Sequence, residues 1–289
     1  MKATYKIIND EISLKNTSSP ITIWFFGDVH RDTRNCDEDR WKYFLKNAKD
    51  TMDDNTYFIG LGDYHDFAST SEKKKISHAE LHESTTNLLD ELVEGHNRKL
   101  AEELSFMRGR ILGLIEGNHS WRFENGKTST EDLAERLDTK DMGWLCHYSL
   151  VVRNKSRHLN CAIHMILCHG KAGGKTLGIT VNQVGDLKNI FPIADIYVMG
   201  HDHQRIAHPS SVLVPMRLGN GDGYSIKQKR QLLCRSGSFM KAYENESNSY
   251  QIFKLYRPSD IGALKVQIRF VRNQSNDGDI TMTDITAEI

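Results

Sequence analysis

The 289-residue chain sets 38 Lys and Arg against 38 Asp and Glu, which excludes the global positive field of a general nucleic-acid binder and leaves attraction for an anionic substrate to local charge. Its length suffices for one large domain with its own core. The five cysteines, Cys36, Cys146, Cys161, Cys168 and Cys234, form no Cys-x-x-Cys pair, which argues against a disulfide framework and a thiolate zinc site.

In chain order, short apolar runs at Ile21–Phe26, Thr56–Leu61, Ile111–Ile115, Cys161–Leu167 and Ile196–Met199 have the β-branched and aromatic content of buried strands. Helical patterns lie between them around Asp39–Met52, from about Ser77 to Met107, and at Thr130–Leu137, the last opened by Ser129. Strands and helices in alternation predict an α/β protein. After Gly200, short strands at Val212–Val214, Leu232–Arg235, Tyr250–Tyr256 and Leu264–Val271 suggest a second, more antiparallel sheet. Residues 1–289 are expected to form a single domain, with a helical insertion at about 77–107. The polar stretch Asn273–Ile289 is expected to be a loosely held tail. The first residues, MKATYKIIND, lack a basic-then-apolar leader, and no apolar run approaches membrane-spanning length. A soluble, cytoplasmic protein without membrane contact is expected.

Five of the apolar runs end beside a glycine paired with a metal-ligand residue type: Gly27-Asp28, Gly62-Asp63, Gly117-Asn118, His169-Gly170 and Gly200-His201. Ligands of open α/β sheets collect at the carboxyl ends of strands, and glycine allows the sharp turn that aims the next side chain into the crevice. The five segments are therefore expected to converge. Carboxylates, imidazoles and one amide form a mixed N/O set that suits manganese, iron or zinc. There are too many such residues for one ion, so two are expected.

Asp28-Val29-His30, Gly62-Asp63-Tyr64-His65-Asp66, Gly117-Asn118-His119, the isolated His169 and Gly200-His201-Asp202-His203, read in that order, resemble the five signature blocks of the calcineurin-like metallophosphoesterase superfamily. The fold this resemblance implies is a sandwich of two β-sheets flanked by helices. It further implies that Asp28, His30 and His203 hold one divalent metal ion, that Asn118, His169 and His201 hold a second, and that Asp63 bridges them. Manganese is the expected metal, with iron or zinc as alternatives. The implied reaction is attack on a phosphorus ester by a metal-bridging hydroxide, with His119 assisting the leaving group and Asp66 orienting a neighbour.

Within the superfamily, Asp66-Phe67-Ala68 and Glu116 stand where Ser/Thr protein phosphatases carry Asp-Arg-Gly and Arg. Asp66 and His30 stand where purple acid phosphatases have Tyr and Gly. Ser120 replaces the acidic residue that follows Gly-Asn-His in many relatives. What remains resembles bacterial and phage phosphodiesterases, including the SbcD-like nucleases, which implies a nucleic-acid or nucleotide substrate. A phosphomonoesterase acting on a small metabolite and a non-catalytic scaffold are the alternatives.

From Arg205 to Lys241 the chain carries Arg205, Arg217, Lys227, Lys229, Arg230, Arg235 and Lys241 against Asp222, with Tyr224 and Phe239 interleaved. This is either a path for a polyanion or a solvated strand edge. Gly170 to Thr176 lacks the glycine spacing of a phosphate loop, and a flexible pocket rim is the better reading. His78 and His82, one helical turn apart, read as a solvated helix face, and His65, His164 and His208 as structural histidines.

Overall fold

The computed structural model describes residues 4–15, 19–67, 82–154, 159–171, 176–217, 223–243, 252, 255, 257–275 and 278–289. A six-stranded sheet is ordered β1 (Tyr5–Ser13), β5 (Leu145–Asn154), β6 (Leu159–Cys168), β7 (Ile196–Met199), β9 (Tyr224–Ser236) and β8 (Arg205–Arg217). A five-stranded sheet is ordered β11 (Gly278–Glu288), β10 (Leu264–Ser275), β2 (Ile21–Phe26), β3 (Thr56–Gly60) and β4 (Ile111–Leu114). The helices among the described residues are α1 (Glu38–Thr51), α2 (Glu83–Glu103), α3 (Ser129–Arg136) and α4 (Leu177–Ile190).

The period-2 alternation of each strand sends its side chains to two different layers. Ile21, Ile23 and Phe25 of β2 face Ile163, Met165 and Leu167 of β6 and Ile196 and Val198 of β7 in a core between the sheets. Trp24 and Phe26, the alternate residues of β2, pack instead against Trp41, Phe44 and Ala48 of α1, Leu100 of α2 and Leu133 of α3. On the outer face of the other sheet, Ile166, Tyr197, Met199 and Leu233 cover Val184 and Leu187 of α4. The result is a two-sheet sandwich flanked by helices, the architecture that the signature blocks imply. Each large side chain so buried contributes about 1.5–3 kcal/mol. No helix among the described residues is long and apolar enough to cross a membrane.

Two expectations are corrected. The strands after Gly200 do not form a sheet of their own, because β9 pairs in parallel with β7 while β10 pairs antiparallel with β2. The stretch 273–289 is not a loose tail: β11 pairs with β10 from Lys265↔Glu288 to Ser275↔Gly278, and Ile285 and Ala287 pack against the inter-sheet core. Its polar residues reflect an edge strand with one solvated face. Of the helical pattern at 77–107, α2 and a 3₁₀ turn at Ser105–Met107 are described, and 68–81 lie outside the described residues. The strand read at Tyr250–Tyr256 and the loop at 172–175 also lie largely or wholly outside them. His82 caps α2, its Nδ1 accepting from the Ser84 backbone N–H at 3.2 Å.

Candidate metal centre

Strands β2, β3 and β4 run parallel in one sheet, and β6 and β7 run parallel in the other. Their carboxyl ends meet at one edge of the sandwich. There the Asp28 backbone N–H donates to Gly62 O at 2.9 Å and the Val29 N–H to Asp63 O at 2.9 Å, joining the first two ligand loops. Gly200 N–H donates to Cys168 O at 3.4 Å and so joins the β6 and β7 ends.

The sharp turns are made mostly by the functional residues themselves. Asp28, His30, Asp63, His201 and His203 have φ values of 47, 46, 48, 67 and 53°, a left-handed region that side-chain-bearing residues rarely enter and that costs about 1–2 kcal/mol at each. Gly117 serves a different need, close approach: a Cβ there would stand 2.0 Å from Asp63 Oδ1 and 2.2 Å from Asp63 N. Gly62 combines both roles, with φ of 91° and a Cβ position 2.7 Å from His169 Nδ1.

All eight residues read from the sequence as ligands or proton donor come together. Asp28, Asp63, His169 and His201 can each bring one ligand atom within 4.8 Å of the others, and so can Asp28, His30 and His203. Asn118 belongs beside the first group, with its Oδ1 2.9 Å from His169 Nε2. Asp28 is the residue common to both groups. Asp63 Oδ2 lies 3.0 Å from His169 Nε2 and 3.9 Å from His201 Nδ1, and His30 also lies in the field of its carboxylate.

The chemistry of these donors fits a cation. His169 Nδ1 is 2.8 Å from the Leu61 carbonyl, an acceptor, so that nitrogen carries the proton and Nε2 is left to face the other ligands. Around Nε2 stand Asn118 Oδ1, Asp63 Oδ2 and His201 Nδ1, the last at 3.0 Å. Four electron-pair donors meet there, and they need a positive charge between them. A proton on Nε2 is one way to supply that charge: burial disfavours a charged His169 ring, but Asp63, together with Asp28, outweighs it and raises the pKa to about 9, and a metal ion held there would take the proton's place. Asp63 is held well below the usual carboxylate range: burial opposes this, but His169 and His201 prevail. His30 shows the complementary need. It is 3% exposed and neither ring nitrogen has a hydrogen-bond partner, an arrangement that calls for an explanation in a folded protein. Burial drives its pKa down to about 4, so the ring is neutral and free to ligate.

Beside these groups, His119 is gripped through Nδ1 by the Asp66 carboxylate. Its backbone N–H donates to Asp63 Oδ1 at 2.9 Å, and its Nε2 lies 3.9 Å from Asp63 Oδ2. Asp66 is itself held by Asp32, whose Oδ1 accepts the Asp66 backbone N–H at 2.6 Å. His30, Asp66 and His119 form a third cluster of ligand types.

Several supporting residues carry no sequence signal of their role. Ser238 Oγ donates to the Asp28 carbonyl at 3.0 Å and so does Phe239 N–H at 3.0 Å. Arg235 is fully buried rather than part of an open basic path, and it donates to Gly200 O at 2.8 Å and Gln183 Oε1 at 2.6 Å. The other cations of that stretch are dispersed. Lys229 donates to Ile193 O at 2.6 Å and pairs with Asp195 at 2.9 Å, while Arg230 faces Asp284 at 3.4 Å. Lys227 precedes Arg235 by eight positions on β9, which puts it roughly 26 Å from the metal-ligand end at about 3.3 Å per residue.

The chain matches no family model and no curated protein. Among solved structures it is similar to a Vps29 double mutant from Entamoeba histolytica (10% identity, 92% of this chain and 99% of that chain, TM-score 0.36). It is also similar to wild-type Vps29 with zinc from the same organism (11%, 92% and 98%, TM-score 0.34). A conserved uncharacterized protein from Streptococcus pneumoniae, a predicted phosphoesterase, aligns at 13% identity over 93% of this chain and 99% of its own, with TM-score 0.30. TM-scores of this size carry no functional argument, which rests on the chemistry of the site.

Proposed function

We propose that the chain is a metal-dependent phosphoesterase with a dinuclear centre. Asp28, His30 and His203 would hold one divalent ion and Asn118, His169 and His201 the other, with Asp63 between them and manganese as the expected metal. When bound, such a pair would polarise phosphoryl oxygens and lower the pKa of a shared water toward neutrality. The observation that carries the reading is a pair of Asp/His clusters that share Asp28, with the Asp63 carboxylate in one of them and acting on His30 of the other, next to a histidine fixed by its own carboxylate.

The role of the chain's own groups follows from position. Asp66 binds His119 through Nδ1, which turns Nε2 toward the centre, where it can hold a proton for a departing alkoxide. His119 is 17% exposed, so substrate can reach it. The ester we propose is a phosphodiester of the nucleotide or nucleic-acid class, supported by the likeness of the signature blocks to those of phosphodiesterases. Lys227, Lys229 and Arg230 stand too far from the centre to serve a small substrate and bear only on a long one.

The test is an assay with added manganese against a phosphomonoester, a phosphodiester, and single- and double-stranded DNA. Hydrolysis that is strongest on the diesters supports the whole reading. A preference for the monoester replaces the substrate class and keeps the centre. Inactivity on every substrate, with metal bound, makes the chain a scaffold.

A further inference from the structure

Next to His119 the described residues leave a small recess. Asp63, Gly117 and His119 form its inner wall, and His65, Phe67 and Asn97 line the rest together with Ser120 and Thr130. It has room for little more than one water-sized group. Two of its buried polar side chains have atoms without a hydrogen-bond partner. Asn97, 1% exposed, donates from Nδ2 to Ser129 O at 2.7 Å and to Asp132 Oδ2 at 2.8 Å, and its Oδ1 has no partner. Both Nδ2 contacts are acceptors, so the amide cannot be reversed, and Oδ1 is the atom left over. His65, 4% exposed, has no hydrogen-bond partner at either ring nitrogen, the Asp32 carboxylate lying 3.9 Å from its Nδ1. Its ring stacks on Phe67 at 4.6 Å and meets His96 edge-on at 5.7 Å, which holds it in place.

Buried polar atoms without partners are uncommon in folded proteins and cost about 1–3 kcal/mol each when left so. Here the residues that carry them, His65 and Asn97, line one recess with the residue proposed to protonate the leaving group. We propose that this recess receives a neutral hydroxyl of the leaving alcohol, donated to Asn97 Oδ1 and bonded to a His65 ring nitrogen. The centre then selects phosphoesters whose leaving group is a polyol, such as a sugar. Charge decides against an anionic occupant: among the described residues the lining contains no Lys or Arg and includes the Asp63 carboxylate. The inference rests on the phosphoesterase reading and deepens it.

The test uses the manganese-loaded protein with glycerol phosphomonoesters and symmetrical glycerol phosphodiesters, each beside the same ester with its free hydroxyls methylated. Bis(4-nitrophenyl) phosphate, whose leaving group has no hydroxyl, reports on the reaction alone. The expected result is a kcat/KM about tenfold higher for the free glycerol ester than for its methylated counterpart, the worth of one hydrogen bond to a buried group. In His65→Phe, which keeps a stacking ring, and in Asn97→Ala, the ratio falls toward one. Because the readout is a ratio, a general loss of activity in a variant does not mimic it. A second readout avoids catalysis: ligand-observed NMR on metal-free protein should show glycerol binding that weakens in both variants. Nitrophenyl hydrolysis with equal rates on free and methylated glycerol esters overturns the recess and leaves the phosphoesterase reading intact. No hydrolysis of any ester removes both.

Discussion

The six-stranded sheet is built differently at its two ends. Where β6 and β7 finish, His201 and His203 take left-handed φ, and across the edge Asp28, His30 and Asp63 do the same. At the other end, the β8–β9 hairpin runs with no positive φ outside glycine among its described residues. It exposes Leu213, Tyr224 and Ile226 and sets Lys229 and Arg230 against acidic or carbonyl partners. Strain of this kind persists only where surrounding bonds over-determine it, and such places are commonly functional. At the metal-ligand end those bonds are present, among them Asp28 N–H to Gly62 O, His30 N–H to Asp63 O and His201 N–H to Asp28 Oδ2. The hairpin shows no such concentration, so changes there should matter much less.

The sharpest way to break this contrast is Gly117→Ala. Its Cβ cannot coexist with Asp63 where it stands, and a displacement of about 1 Å at a reacting centre can lower the rate on the order of a hundredfold. Loss of metal and at least that drop in turnover are expected, and a variant with full metal content and normal rate would show that the close approach is dispensable. Next in size is His119→Ala, predicted to retain both metals and slow hydrolysis by about 10² to 10⁴, most for the poorest leaving groups. Leaving groups of graded pKa check it, and an equal loss across the series would indicate positioning instead. Asp66→Asn keeps a polar contact to His119 but removes the charge, and a loss of about tenfold or more is expected, the size seen when the partner behind a functional histidine is changed. Turnover equal to that of the unaltered protein would remove Asp66 from the account. The smallest effect belongs to the hairpin. Lys227, Lys229 and Arg230 changed together to serine should leave hydrolysis of a small diester within a few-fold. If DNA binds along β9, its salt dependence should flatten by about 0.7–0.9 in log-log slope for each phosphate that is no longer neutralised. A large loss on the small diester would contradict the separation of the two ends.

The site is legible in the sequence to an unusual extent for a physical reason. Parallel strands buried on both faces read as unbroken apolar runs, and each is followed within four positions by a candidate ligand. Turn chemistry is less legible, since Asp28, Asp63 and His201 themselves adopt the left-handed backbone expected of the glycines beside them. β1 escapes a reading by apolar runs because its residues alternate between exposed and half-buried positions on a sheet edge and include Lys6, Asp10 and Glu11. Helix α4 escapes it because Gly178 and Gly185 interrupt a weak pattern. Arg235 reads as a surface charge because nothing local announces that it lies under Gly200, thirty-five positions away. Ser238 and Phe239 support Asp28 from a distance of 210 positions or more, a relation that tertiary pairing creates and no local pattern announces.

The central claim is that this edge of the sandwich holds two divalent ions that Asp63 keeps together. Manganese titration of the metal-free protein by calorimetry, alongside the Asp63→Asn variant, tests it most directly. The account predicts two ions bound per chain, with weakened binding at both sites and no turnover in the variant, because an amide cannot balance the charge of two cations. A metal-free protein that binds no manganese, or a variant that keeps two ions and normal turnover, would contradict it.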